Sequence, residues 1–151
     1  MAAGVDLTVE LDARVLAEID RVFARLGSEG VQDIALSVGA LVERQTKDRI
    51  TTEKTAPDGT PWAPWSGAYA KTRNTGQNRA NSLLIDSMNL LGSIQDYTTG
   101  DTVKVGSRTP YSAIHQFGGR GIPARPYLGL SAGNRREIEE LVIDRVEALL
   151  Q

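Results

Sequence analysis

Residues 5–27 read VDLTVELDARVLAEIDRVFARLG, and the hydrophobic period changes half-way through. Val5, Leu7, Val9 and Leu11 alternate with Asp6, Thr8 and Glu10, the period-two pattern of a half-buried strand. From Asp12, placed as an N-cap, the apolar positions become Val15, Leu16, Ile19, Val22, Phe23 and Leu26, one stripe of a 3.6-residue period that stops at Gly27. Working outward, Ser28 caps a second, longer helix. Val31, Ile34, Ala35, Val38, Leu41 and Val42 repeat its stripe, and it runs out through ERQTKDRI near Ile50. Gly39 inside it costs about 1 kcal/mol of helix propensity, so a close neighbour is expected there. At the far end, Asn134 with Glu137 resembles a capping box. The helix it opens places Ile138, Leu141, Val142, Val146 and Leu149 on one face, with the acids Glu137 to Glu140 expected at its positive dipole end. Between these helices, SIQDYTTGDTVKVGS (93–107) reads as a β-hairpin turning near Thr99-Gly100-Asp101, with Val103 and Val105 on one face. PYSAIHQFGG (110–119) reads as a short helix opened by Pro110 and stopped by Gly118 and Gly119. The expected fold is α+β, one domain over residues 1–151: a small antiparallel sheet with a hairpin, packed against two N-terminal helices and a C-terminal helix.

The segment TAPDGTPWAPWSGAYAKTRNTGQNRANS (55–82) breaks this regularity. Pro57-Asp58-Gly59 is a turn in which proline presets φ and glycine supplies a permissive one. From Lys71 to Ser82 there is no Leu, Ile, Val or aromatic residue, so residues 66–82 are expected to form a mobile loop in the free protein.

Composition removes several functional classes. The chain has 151 residues, no cysteine and a single histidine, which excludes a thiolate nucleophile, an Fe–S cluster and a four-ligand zinc site; no cofactor is expected. No run approaches the roughly 20 apolar residues of a membrane span, and the N-terminus lacks the features of a signal peptide, so synthesis in the cytoplasm is expected. Seventeen basic residues face nineteen acidic ones, for a net charge of -2, too little to make a general nucleic-acid coater. The charges are segregated, however. Six acids and three arginines occupy residues 1–29, and five acids and three arginines occupy 134–151. Lys71, Arg73 and Arg79, and then Lys104, Arg108, Arg120 and Arg125, stand in stretches without any acid. Such segregation suits an anionic partner or pairing between subunits.

No catalytic constellation stands out. His115 has Ser112 one helical turn away, but no orienting acid and no nucleophile elbow accompany them. A histidine held by a hydrogen bond is the simpler reading. The run GGRG (118–121) lacks the Lys-Ser/Thr of a phosphate loop and reads as a flexible hinge. Trp62 and Trp65 in PWAPW suit a base-stacking platform, a carbohydrate contact or an intersubunit anchor, against the plain alternative of covering the core. Arg125, between Pro123 and Pro126, is expected to present its guanidinium to a carboxylate or phosphate.

Taken in order, DGTPWAPWS, LLIDSMNLLGSI, VKVGS, PYSAIHQFGG and IPARPYLGLS resemble the Mu-like phage virion morphogenesis family, also described as tail completion or neck proteins. The resemblance spans about Asp58 to Ser131. Its matching positions are Gly59 and Trp62, then Tyr111, Ile114, His115, Gln116 and Gly118, then Pro123, Arg125, Pro126, Tyr127 and Gly129. It implies a non-enzymatic virion component acting at the junction of tail and DNA-filled head, made in the host cytoplasm. Its partners would be copies of itself in a ring, with six-fold symmetry suggested by analogy with the tail, and adjoining neck or tail proteins, with non-specific DNA contact in the channel. Trp62, Trp65, Lys71, Arg73, Arg79, Arg120, Arg125 and Tyr127 are the expected interface residues, and replacing Arg125 is expected to impair joining more than folding. The rival reading is a small nucleic-acid-binding module that uses the basic loops and both tryptophans. Two departures stand out: Pro64-Trp65-Ser66 replaces the usual Pro-Leu-Ser, and Asp86-Ser87-Met88-Asn89-Leu90 replaces Asp-Thr-Gly-x-Leu.

Overall fold

The computed structural model describes residues 4–9, 13–72, 83–85 and 88–151. The expected cap Asp12 and the candidates Arg73 and Arg79 lie outside them. The elements run β1 (Val5–Val9), α1 (Ala13–Asp48), a π-helical turn (Arg49–Glu53), α2 (Gly67–Thr72), α3 (Asn89–Ser93), β2 (Gln95–Asp96), β3 (Val103–Ser107), α4 (Ser112–Phe117) and α5 (Ala132–Leu150). The fold is α+β, with a three-stranded antiparallel sheet in the order β1-β3-β2. Val5 pairs with Ser107, Leu7 with Val105 and Val9 with Val103; Asp96 pairs with Val105 from the other side. The hairpin closes where Thr99 and Thr102 exchange backbone hydrogen bonds of 3.0 Å around Gly100-Asp101.

α1 is two helices joined end to end. Gly27, with φ 70 and ψ 175, breaks the helical backbone where the sequence stops the first stripe. The second segment carries the core, because Ile34, Val38 and Val42 meet Val103, Val105 and Ile94, with Ile138 of α5 in the same cluster. Val42, Ile94 and Val105 are wholly buried, each stabilising by about 2 kcal/mol. Gly39 meets its expected neighbour: a Cβ there would collide with the Asp96 carboxylate and the Thr98 hydroxyl, so α1 approaches the β2 edge as closely as its backbone permits.

Three expectations are corrected. The C-terminal helix starts earlier than expected, with Ser131 as N-cap. Ser131 Oγ accepts from Asn134 N at 3.0 Å, and Asn134 Oδ1 accepts from Ser131 N at 3.1 Å. The acids from Glu137 onward therefore fall beyond the first turn, where the dipole does little. Gly67–Thr72 forms α2 where a loop was expected, because the Ser66 side chain caps it (Tyr69 N to Oγ 3.2 Å) and the Trp65 ring meets Tyr69 edge-on at 5.4 Å. The GGRG run is a tight turn and not a hinge: Gly119 and Ile122 exchange hydrogen bonds of 2.9 Å, and the intervening Arg120 and Gly121 have φ 52 and 78, as a type I′ turn requires.

Candidate assembly surface

The loop 123–130 has little regular structure, and side chains tie it down. Gln116 of α4 acts as a substitute strand partner: its Oε1 accepts from Tyr127 N and Leu128 N, each at 3.0 Å, while its Nε2 donates to Leu128 O at 3.2 Å. One residue earlier in α4, His115 O accepts from Arg125 N at 2.7 Å. Tyr127 is wholly buried and its hydroxyl donates to Ser112 O at 3.0 Å; burial raises its pKa. Trp62 is also buried, and its indole N–H donates to Pro126 O at 2.9 Å. Arg125, 6% exposed, donates through Nε to Ala63 O at 2.8 Å and through a terminal nitrogen to Pro64 O at 3.0 Å. A side chain on Gly129, at φ 140, would collide with Pro57, which packs this loop against the Pro57-Asp58-Gly59 turn.

Arg125, Trp62 and Tyr127 thus differ from their expected outward roles. The Trp62 indole N–H, the Tyr127 hydroxyl and two of the Arg125 guanidinium nitrogens find their partners inside the chain, where each unmet partner would cost about 1–3 kcal/mol. They form a clamp that joins PWAPW to IPARPY and holds both on α4.

Arg49 is the residue that sequence reasoning missed. Wholly buried, it donates to Tyr127 O at 3.1 Å, Gly129 O at 2.8 Å and Asn134 Oδ1 at 2.5 Å, with the Glu53 carboxylate 3.6 Å from its Nε. Burial lowers its pKa, partly offset by Glu53. Gln45, one turn before, donates to Asn134 O at 3.2 Å and Glu137 Oε2 at 2.8 Å. The signal lay in the stripe itself, since Thr46, Arg49 and Ile50 continue the face of Val42. Lys54 is partly sequestered too, its amine donating to Ile50 O and Leu83 O, and burial lowers its pKa to about 8.

Part of the charge segregation is resolved within the chain. Asp6 of β1 receives Lys104 and Arg108, each at 3.4 Å, and Arg145 faces Asp33 at 3.9 Å. Lys71 and Arg120 remain exposed.

The clamp frames an open basin of about 420 Å³ whose walls include Trp65, Tyr69, Met88, Tyr111 and Ile122, with Leu90, His115 and Arg125 deeper; among the described residues no carboxylate lines it. Met88 is 57% exposed. It stands where the resemblance expects glycine and adopts the left-handed conformation itself, φ 58 and ψ 2. His115 differs from its expectation: Nδ1 is buried without a hydrogen-bond partner, and the ring packs edge-on against Tyr111 at 5.9 Å. Burial, and then Arg125, lower its pKa. Ser112 Oγ donates to Thr109 O at 2.7 Å, so that hydroxyl is engaged away from any base. Among the described residues no group of acids and histidine is arranged to hold a metal ion, and no helix is long and apolar enough to cross a membrane.

Clamp, basin and terminal helices together occupy the span matched by one family model, over residues 13–147. The chain belongs to the phage virion morphogenesis family. Its relatives include the putative capsid assembly protein G of Escherichia phage Mu, 28% identical over 155 aligned positions that cover 95% of this chain and 99% of the relative. Two Mu-like prophage proteins of Haemophilus influenzae also match. FluMu G protein 2 is 36% identical over 48% of this chain and 58% of its own length, and FluMu G protein 1 is 30% identical over 80% and 82%. No solved structure matches. Within the virion morphogenesis family the chain has a structural role in phage particle assembly, and the clamp gives its motif residues a physical meaning: they fix loops.

Proposed function

We propose that this virion morphogenesis protein completes the tail and joins it to the head, as a ring-forming neck component without enzymatic chemistry. The observation that carries the reading is the basin. Trp65, Tyr69, Met88, Tyr111 and Ile122 present apolar surface on a scaffold whose loops are held in place by the hydrogen bonds of the clamp. A preformed aromatic surface loses little conformational entropy on docking, which is how a small contact becomes a binding hot spot. The name of the phage Mu relative, a capsid assembly protein matched over 99% of its length, supports action at the head end of that junction. In this reading residues 1–151 act as one domain, and Trp65, Lys71 and Arg120 meet neighbouring copies or adjoining neck proteins, with Arg73 and Arg79 as further candidate contacts.

Electron microscopy of lysates from a phage carrying an early stop codon in this gene tests the reading. Filled heads beside separate or irregular tails are expected. Normal joined virions would overturn it and return the nucleic-acid-binding module to first place, to be checked by salt-dependent DNA binding.

A further inference from the structure

Phe117 ends α4 with 70% of its surface exposed, and the type I′ turn follows it directly. At the tip of that turn Arg120 holds φ 52, a conformation in which glycine or asparagine is the usual choice, and it makes no hydrogen bond or ion pair among the described residues. The mount is firm, because Gly118 N donates to Ile114 O at 2.8 Å and the Gly119–Ile122 bridge closes the turn. A strained arginine without an internal partner, beside an exposed phenylalanine on a rigid turn, has the character of a contact device. Elsewhere, α1 and α5 enclose an open groove of about 800 Å³. Leu36, 48% exposed, lines it with Leu41 and Leu141. Its acids Glu140 and Asp144 make no ion pair among the described residues, whereas the arginines beside them face other acids, Arg44 to Glu137 at 3.8 Å and Arg145 to Asp33 at 3.9 Å.

One chain therefore carries an apolar knob tipped by a cation, and an apolar groove with carboxylates, that are unpaired among the described residues. We infer that the Phe117–Arg120 knob of one copy seats in the α1/α5 groove of the next, Phe117 on Leu36 and Leu141 and Arg120 against Glu140 and Asp144. The inference rests on the neck reading and specifies its partner as a second copy of this chain. Because knob and groove are different patches, a pair still has one knob and one groove open, on different copies, and the contact propagates until a ring closes.

The absence of cysteine gives a direct test. A chain carrying both Arg120→Cys and Asp144→Cys, produced in phage-infected cells and oxidised in the lysate, is expected to yield a ladder of dimers, trimers and larger species. Each single variant is expected to stay monomeric, and the two singles mixed should give dimers alone. Independently, Arg120→Glu is expected to cut the phage titre by about tenfold or more, equivalent to losing one good charge pair, and Asp144→Arg in the same chain to restore it. A double-cysteine variant that builds joined virions without a ladder overturns the inference, as does a charge reversal that the second substitution fails to rescue. Separated heads and tails with the stop codon but no ladder would remove this contact and leave the neck reading standing, whereas joined virions with the stop codon would remove both.

Discussion

Arg125 and Arg120 lie five residues apart in one glycine- and proline-rich segment, and the structure treats them oppositely. Arg125 turns inward and donates to two carbonyls of PWAPW; Arg120 turns outward at the tip of a strained turn. The same division separates the tryptophans, with Trp62 buried and hydrogen-bonded while Trp65 stands at the basin wall. In local sequence the two regions look alike, polar and rich in chain-breaking residues. Where the polar groups find partners is what distinguishes them: the clamp makes its hydrogen bonds within the chain and builds stability, while the turn leaves a cation without a partner among the described residues.

The strongest way to break this comparison is at the tryptophans. Trp62→Ala is expected to cost about 4 kcal/mol of unfolding free energy, the usual loss for a buried tryptophan, and Trp65→Ala about 1 kcal/mol. Urea unfolding of the two variants decides it, and equal losses would abolish the distinction between an inward and an outward ring. Next, Arg49→Ala leaves Tyr127 O, Gly129 O and Asn134 Oδ1 without their shared donor and is expected to cost about 3 kcal/mol. Arg125→Ala should cost about 2 kcal/mol, so its effect on joining would come through folding, the reverse of what its flanking prolines suggest. A variant that unfolds like the parent but fails to join heads to tails would return Arg125 to the contact surface.

Arg120→Gly sharpens the comparison from the other side. Removing the left-handed penalty gains about 1 kcal/mol, and the greater freedom of glycine in the unfolded chain takes part of it back. Stability is expected to stay level or rise slightly while titre falls. A variant that loses stability would show that the Arg120 side chain serves the fold after all.

These contrasts mark what was legible in the sequence. The change of period in residues 5–27 was enough for β1 and the first part of α1, Gly27 for the kink, and Gly39 for a close approach, because each rests on backbone geometry that one residue type dictates. The last helix was found but its cap was displaced by three residues: Ser131 and Asn134 form the box, and Asn134 with Glu137 imitates it. α2 was missed because its capping serine sits among prolines and glycines, and the clamp was missed because the hydrogen bonds that tie PWAPW into it join residues about 60 positions apart. Arg49 was hidden most thoroughly, since one buried arginine among the charges of ERQTKDRI looks like a solvated one. The order of motifs from DGTPWAPWS to IPARPYLGLS, by contrast, identified the family without revealing that Trp62, Arg125 and Tyr127 turn inward.

The smallest expected effect is a pH dependence at His115, which lies on the boundary between the two regions, its carbonyl in the clamp and its ring at the basin. Burial and the nearby Arg125 guanidinium both disfavour its charged form, so its pKa in the folded protein falls below the ordinary 6.5. Above pH 6.5 the ring is neutral in both states and contributes nothing to pH dependence. Between 6.5 and the lowered value the unfolded chain binds a proton that the folded chain does not, so stability falls as the solution is acidified through this window and levels off below it. Most carboxylates titrate lower, near pH 4, and Lys54, lowered to about 8, contributes alike to wild type and to a His115 variant, so the difference between their urea midpoints at pH 7.5 and 5.5 isolates the histidine. His115→Phe, which keeps a ring beside Tyr111 and removes the unpartnered nitrogen, is expected to lose this slope. An equal slope in the variant would place the titrating group elsewhere, and a larger midpoint for wild type at pH 5.5 than at 7.5 would mean that the imidazolium has a partner. In that case the basin would be a polar site and not an apolar one.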